Sequence, residues 1–371
     1  MPRDCSRTEI RCQREGILLQ FPGYKECTPL TYPSVVGATM IIDAHAHYTS
    51  APPQLQAFRG RQISAYARPN KGILQISDEQ LKASVKGQVD RMDEWGIDRL
   101  MFSPQASAMG HQFGTPLISR HWTEHCNDLI GRIAKLWPDR FSAVCQLPQS
   151  PGVPPEEWVD ELDRCVNELG FVACNINPDI SGSADPFTPS LKDEWWNPLW
   201  EKMVELNIPG TIHASSTMNP AFHVTSSHYI GQHHNAGVEI LSSRVFQDFP
   251  DLKIIIPHGG GAIPYQWSRH RGTHVMMGLE PFEEAARRVY WDMAIYDQAS
   301  MEMLIQRVGV DNVLFATEMF GAVNAIDPET GRSFEDVPSM FSGIDWLSDE
   351  DRLKITEGNA RKVYSRLPVK V

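Results

Sequence analysis

The chain is poor in positive charge, in cysteine and in long apolar runs. Lys and Arg number 34 against 46 Asp and Glu in 371 residues, a formal net charge of -12 with a pI near 5.5. Phosphate backbones are gripped by basic faces, so this balance argues against a nucleic-acid partner. The seven cysteines, at 5, 12, 27, 126, 145, 165 and 174, are odd in number and form no CxxC pair, which argues against a disulfide framework. Cys145 and Cys174 fall in apolar, strand-like runs, where a thiol usually serves as a small hydrophobe. No stretch of about 18 apolar residues occurs and no leader-like segment opens the chain, so a membrane span is excluded and a cytoplasmic location is expected. Also missing is the Gly-rich phosphate loop that normally follows the first strand of a doubly wound sheet.

What is present is enough apolar material for a large core, 42% hydrophobic against 22% charged residues. Residues 1–39 mix Arg, Glu, Cys, Gly and Pro without a sustained period, and read as an amino-terminal extension, either a loosely packed arm or a misassigned start. The folded domain is expected over 40–371. There, eight short apolar runs alternate with amphipathic segments: 40–45, 98–104, 141–148, 171–178, 209–214, 252–258, 288–294 and 312–318. Their near-continuous Val, Ile, Leu and Phe content suits parallel strands buried on both faces. Helical spacing fills the gaps at 78–95, 121–137, 155–169, 195–206, 235–248, 298–308 and 349–364, with Gly96 as a stop signal. Strand and helix in eightfold alternation predict an α/β fold, a (β/α)8 TIM-type barrel. Long segments at 48–77, 215–234 and 319–347 follow the first, fifth and eighth strands, at the carboxyl face where such barrels build their sites.

The first run ends Asp43-Ala44-His45-Ala46-His47. Histidines two apart on a strand point the same way, so both imidazoles can reach one ion. Further metal-competent groups close other strands: His213 the fifth, His258 the sixth and Glu318 the eighth. Any one of them could be a satisfied polar group, but burying them all at one rim without an ion would be costly. His111, in the loop after the second strand, faces the same opening and is a candidate for substrate contact. His121, His125, His270 and His274 fall on helical segments and read as structural. His223 and His228 read as loop residues, solvated or locally bonded.

MIIDAHAHY, IPHGGGAIPYQWSRHRG and LFATEMFGAVNAIDPETGRSFED resemble the amidohydrolase superfamily, most closely its 4-oxalomesaconate hydratases, relatives of the aminocarboxymuconate-semialdehyde decarboxylases. The resemblance spans about residues 40–367. It implies that His45, His47, His213 and Glu318 surround one Zn²⁺, with Glu318 standing where most of the superfamily has Asp. It implies that His258 works near the substrate, and that Tyr229 and Arg269 hold substrate carboxylates. Asn177, at the fourth strand end, could donate to a carboxylate as well. The implied activity is a metal-dependent hydro-lyase adding water to an unsaturated keto polycarboxylate in aromatic-acid catabolism, in a homo-oligomer. Bound water in such a Zn²⁺ set has a pKa of about 7. A non-oxidative decarboxylase, a metal-dependent hydrolase and a non-catalytic binding barrel are the alternatives.

Two departures from the hydratase pattern concern the site. The hydratases read SPRAS after the second strand where this chain reads SPQAS, so Gln105 replaces a cation that could pair with a carboxylate. Beyond Tyr229, GQHHNA introduces His233 and His234, which read as exposed loop residues.

Overall fold

A computed structural model describes residues 40–185, 188–220 and 225–368. The amino-terminal extension 1–39 and His223 lie outside them. Eight parallel strands follow one another around a single sheet: β1 (Ile42–Tyr48), β2 (Arg99–Pro104), β3 (Phe141–Cys145), β4 (Ala173–Ile176), β5 (Pro209–Ile212), β6 (Lys253–Ile256), β7 (Tyr290–Asp292) and β8 (Val313–Leu314). Each strand pairs parallel with the next, and two backbone bonds close the ring from the segment that follows the eighth strand to the first. Ala44 N donates to Phe315 O at 2.9 Å, and Glu318 N donates to His45 O at 2.9 Å. The fold is therefore the (β/α)8 barrel that the alternation predicts.

Helices cover the outside. Those after β1 are α1 (Pro53–Ser64), α2 (Asp78–Ser84) and α3 (Lys86–Trp95); α4 (Pro116–Leu136) follows β2, α5 (Val159–Asp163) β3 and α6 (Asn197–Leu206) β4. The segment expected as one helix over 78–95 is interrupted at Val85, yet Leu81, Val85, Met92 and Trp95 all reach the core. Helix α4 begins five residues before its expected start at 121, because Thr115 caps the Ile118 N–H and Pro116 occupies the first turn. After β5 come α7 (Thr225–Leu241) and α8 (Val245–Asp248), after β6 α9 (Trp267–Met277) and α10 (Phe282–Ala286), and after β7 α11 (Gln298–Val308). Helix α7 starts ten residues before the expected 235, so the Tyr229 and His233 segment is helix rather than loop.

Strand periodicity splits the apolar residues into two sets. Leu100, Phe102, Cys145, Ile254, Ile256 and Phe315 face the helices. Ile42, Met101, Val144, Ile255 and Leu314 face inward and pack with Tyr364 and Leu367 from the carboxyl-terminal segment. These inward residues make an apolar floor. Above it the barrel interior turns polar, and the candidate site begins.

Candidate metal centre and acid–base groups

The register of β1 against β2 slips between Asp43 and Ala46, a bulge in the segment that carries His45. Both imidazoles nevertheless turn into the mouth, and each is aimed by a partner on its Nδ1. His45 Nδ1 lies 2.8 Å from Asp292 Oδ2 at the end of β7. His47 Nδ1 lies 2.8 Å from Ser103 Oγ and 3.2 Å from the Pro104 carbonyl. His213 Nδ1 donates to the Ala214 carbonyl at 2.9 Å. With acceptors on Nδ1, all three rings present Nε2 lone pairs.

Those lone pairs converge. His45 Nε2 and His47 Nε2 are 3.0 Å apart, and His47 Nε2 and His213 Nε2 are 3.1 Å apart. The Glu318 carboxylate completes the group, with Oε1 3.8 Å from His47 Nε2 and all four donor atoms within 4.8 Å of one another. Three acceptors and an anion at such spacing repel unless a cation lies between them, so the donor set fits one divalent ion. Burial, then the neighbouring imidazoles, hold the His47 and His213 pKa values well below the ordinary value, which keeps both rings neutral as ligands must be. Burial also disfavours charge on His45, but Asp292, Glu318 and Asp43 outweigh it and raise the pKa to about 9, so a cation at this Nε2 would have to displace a proton.

Two of the site residues sit in a backbone conformation that L-residues rarely adopt. His258 and Glu318 both have φ of 53°, and strain of this kind collects where the surrounding structure over-determines a functional residue. His258 is pinned by its N–H to Asp292 Oδ1 at 2.8 Å and by Nδ1 to the Ala294 carbonyl at 3.1 Å. The turn after it is glycine for steric reasons. A Cβ on Gly260 would lie 2.5 Å from the Trp291 ring, and one on Gly261 would lie 2.7 Å from the Ile230 carbonyl. Glu318 Oε2 accepts from the Tyr296 hydroxyl at 3.0 Å and lies 3.7 Å from His258 Nδ1. One carboxylate thus faces both the ligand cluster and a candidate proton-transfer pair.

The remaining candidates divide. Tyr229, on α7, is half-buried with its ring 6.5 Å from that of His213. Its pKa is raised by burial and then by the Glu318 charge. Asn177 is buried just past β4. Its backbone is bracketed by Gln149, its Oδ1 accepts from Asp179 N, and its Nδ2 has no partner among the described residues. His111 is buried with Nδ1 2.7 Å from Ser119 Oγ, and its Nε2 has no partner among the described residues. Arg269 is different: it is exposed on α9, where its Nε donates to Gln266 Oε1 at 3.3 Å, and it does not join the cluster. His228, on α7 rather than in a loop, bonds the Ser215 carbonyl through Nε2 at 2.9 Å.

Sequence reasoning missed several residues. Asp292 orients His45 and pins His258, and its signal was an acid at the end of a buried strand run. Asp43 ties β1 to the segment after β8 by accepting from Thr317 N and Oγ1. Its burial raises its pKa to about 6 against those hydrogen bonds. Tyr296 had no signal beyond lying four residues after Asp292. The expectation for His233 needs correction. It is wholly buried on α7, its Nε2 accepts from Ala214 N at 2.9 Å, and its ring stacks on His258 at 5.0 Å and 16°. Helix α7 packs its inner face against the barrel rim, and a position on that face is buried whatever its polarity. His213, His233 and His258 also lie close enough to suggest a second ion. The Ala214 N–H occupies the His233 lone pair, however, so that trio lacks one donor.

The amidohydrolase family matches residues 42–366, and the chain belongs to it. The 2-keto-4-carboxy-3-hexenedioate hydratase of Sphingobium sp. (strain NBRC 103272 / SYK-6) is 40% identical over 336 residues, covering 90% of this chain and 98% of that protein. The solved 4-oxalomesaconate hydratase of Rhodopseudomonas palustris is 42% identical with a TM-score of 0.81, covering 88% of this chain and 96% of that one. The gamma-resorcylate decarboxylase of Polaromonas sp. (strain JS666 / ATCC BAA-500) is 26% identical over 317 residues, covering 79% and 88%. A Polaromonas dihydroxybenzoic acid decarboxylase solved with bound manganese has a TM-score of 0.65 at 22% identity, covering 89% and 98%, which shows the shared fold. By likeness the chain stands with the hydratases.

Proposed function

We propose that this chain is a metal-dependent hydro-lyase that adds water across the double bond of an unsaturated keto polycarboxylate such as 4-oxalomesaconate. The observation that carries the reading is the position of Glu318, whose two oxygens reach the imidazole cluster on one side and Tyr296 and His258 on the other. His45, His47, His213 and Glu318 hold the ion, which we take to be Zn²⁺. A divalent cation bound there supplies Lewis acidity at neutral pH. Glu318 takes a proton from the incoming water, and His258, fixed by Asp292 and Ala294, delivers one to the carbon that develops carbanion character. Tyr229, Asn177 and His111 offer hydrogen bonds to substrate carboxylates and enolate oxygen. Arg269 belongs to the same substrate-binding set. Its exposed place on α9 suits a role at the outer edge of the mouth, or across an interface in the homo-oligomer that we also propose. The reading places the enzyme in the cytoplasm, and among the described residues no helix is long and apolar enough to cross a membrane.

The test is elemental analysis followed by ultraviolet monitoring of 4-oxalomesaconate with simultaneous detection of CO₂. One ion per chain and loss of the chromophore without gas are expected. Gas release would replace the reading by decarboxylation, the activity named for the relatives near 26% identity. Absence of metal would leave a binding barrel.

A further inference from the structure

Gln105 leaves the end of β2 without a positive charge, and the structure puts one nearby from another element. Arg59 projects from α1 against α4 and the β2 loop. Its Nη2 donates to the Gly110 carbonyl at 2.7 Å, and its guanidinium lies 4.8 Å from the centre of the Trp122 ring. Among the described residues its buried Nη1 has no hydrogen-bond partner, and no Asp or Glu forms an ion pair with it. Guanidinium groups stay charged, so an unpaired one held out of water is an anion site waiting for its anion.

The nearest polar company supports this. His111, the residue after Gly110, also keeps a buried nitrogen, Nε2, with no partner among the described residues. In the tautomer in which the Ser119 hydroxyl donates to Nδ1, the ring proton sits on Nε2 and becomes a second donor without an acceptor among the described residues. Burial, and after it the Arg59 charge, lowers the His111 pKa to about 3, so the ring stays neutral beside the cation. This loop is tied to the segment just past β5, because Gln112 Nε2 donates to the Ser216 carbonyl at 2.9 Å, three residues beyond His213. Both orphan donors therefore border the loop that follows β2, at the carboxyl face of the barrel.

We propose that Arg59 Nη1 and His111 Nε2 together bind one carboxylate of the substrate, so that a guanidinium from α1 supplies the charge that Gln105 does not. A carboxylate between them would accept from both, and the charge-assisted bond to Arg59 would be the stronger. The inference rests on the polycarboxylate reading above.

Binding of tricarballylate, an unreactive tricarboxylate, can be followed through tryptophan fluorescence and thermal shift, since Trp122 lies beneath the guanidinium. Arg59→Met should weaken binding by about ten-fold or more, and Arg59→Lys, which keeps the charge but loses the fork, by less. The Gln105→Arg change placed on Arg59→Met should restore part of the affinity. Unchanged affinity in Arg59→Met, with or without a lower melting temperature, would make Arg59 a packing residue and overturn the proposal. Should Arg59→Met fail to fold, His111→Gln and Arg59→Lys test the same pair, and unaltered binding in both overturns it equally. Turnover of 4-oxalomesaconate separates the two readings. Arg59-dependent tricarballylate binding in an enzyme that hydrates no keto polycarboxylate keeps the carboxylate site and removes the hydratase. An unchanged KM in an active Arg59→Met removes the site and keeps the hydratase.

Discussion

The floor and the mouth of the same barrel are built on opposite principles. The floor is made by Ile42, Met101, Val144, Ile255 and Leu314 under Tyr364 and Leu367, and its stability scales with apolar area and close packing. Those forces have little direction, so a neighbour of similar volume can substitute at modest cost. The mouth is made by His45, His47, His213, His258, Asp292 and Glu318, and each side chain there depends on a partner at a stated atom. Losing one partner at the mouth leaves a donor or acceptor stranded out of water. Stability is therefore stored in the floor and spent as directional constraint at the mouth, in the strained backbone of His258 and Glu318.

The sharpest contrast should come from Glu318→Gln, which keeps the size and removes the proposed proton acceptor. Turnover should fall by about 10²- to 10⁴-fold with the fold intact. Arg269→Lys, by comparison, should act on KM alone, and a variant pair that both altered only KM would remove Glu318 from the chemistry. Next, Asp292→Asn should weaken metal binding by about 10- to 100-fold in chelator competition, because it releases His45 and His258 together. Unaltered affinity would mean that the rings are aimed by packing, as in the floor. In the opposite region, Ile255→Ala should cost about 2–5 kcal/mol in denaturant unfolding. Its kcat per metal-loaded, folded molecule should stay near wild type, and a large fall in kcat would erase the division between the two regions.

The last contrast concerns pH. The folded His111 pKa of about 3 lies below that of an unfolded histidine, about 6.5, so the unfolded chain binds the extra proton first. Its contribution is full above about pH 6.5 and declines as pH falls toward 3, by at most about 1.4 kcal/mol per unit. The acid limb of wild-type stability should accordingly be steeper than that of His111→Gln. Parallel limbs would show that this ring opens to water before it titrates.

Much of this was legible in the chain itself. All eight strands were readable because strands buried on both faces must be nearly all apolar, and β1 to β8 each fall within or beside an expected run. His45, His47, His213, His258 and Glu318 were readable because a polar residue closing such a run has few reasons to be there. Boundaries of α4 and α7 were less legible, since caps and inner helix faces depend on what the helix packs against. His233 looked exposed because adjacent histidines carry no periodic signal of their own.

By itself the sequence determined the number and order of the strands and the chemical types available at their ends, since hydrophobic periodicity and residue chemistry are local properties. Only the tertiary structure decided which nitrogen of each imidazole faces the cluster, that Asp292 rather than a nearer carboxylate orients His45, and that among the described residues the Arg59 guanidinium has no carboxylate partner. Those outcomes depend on directions and on partners up to 247 residues apart in the chain, and no local pattern specifies them.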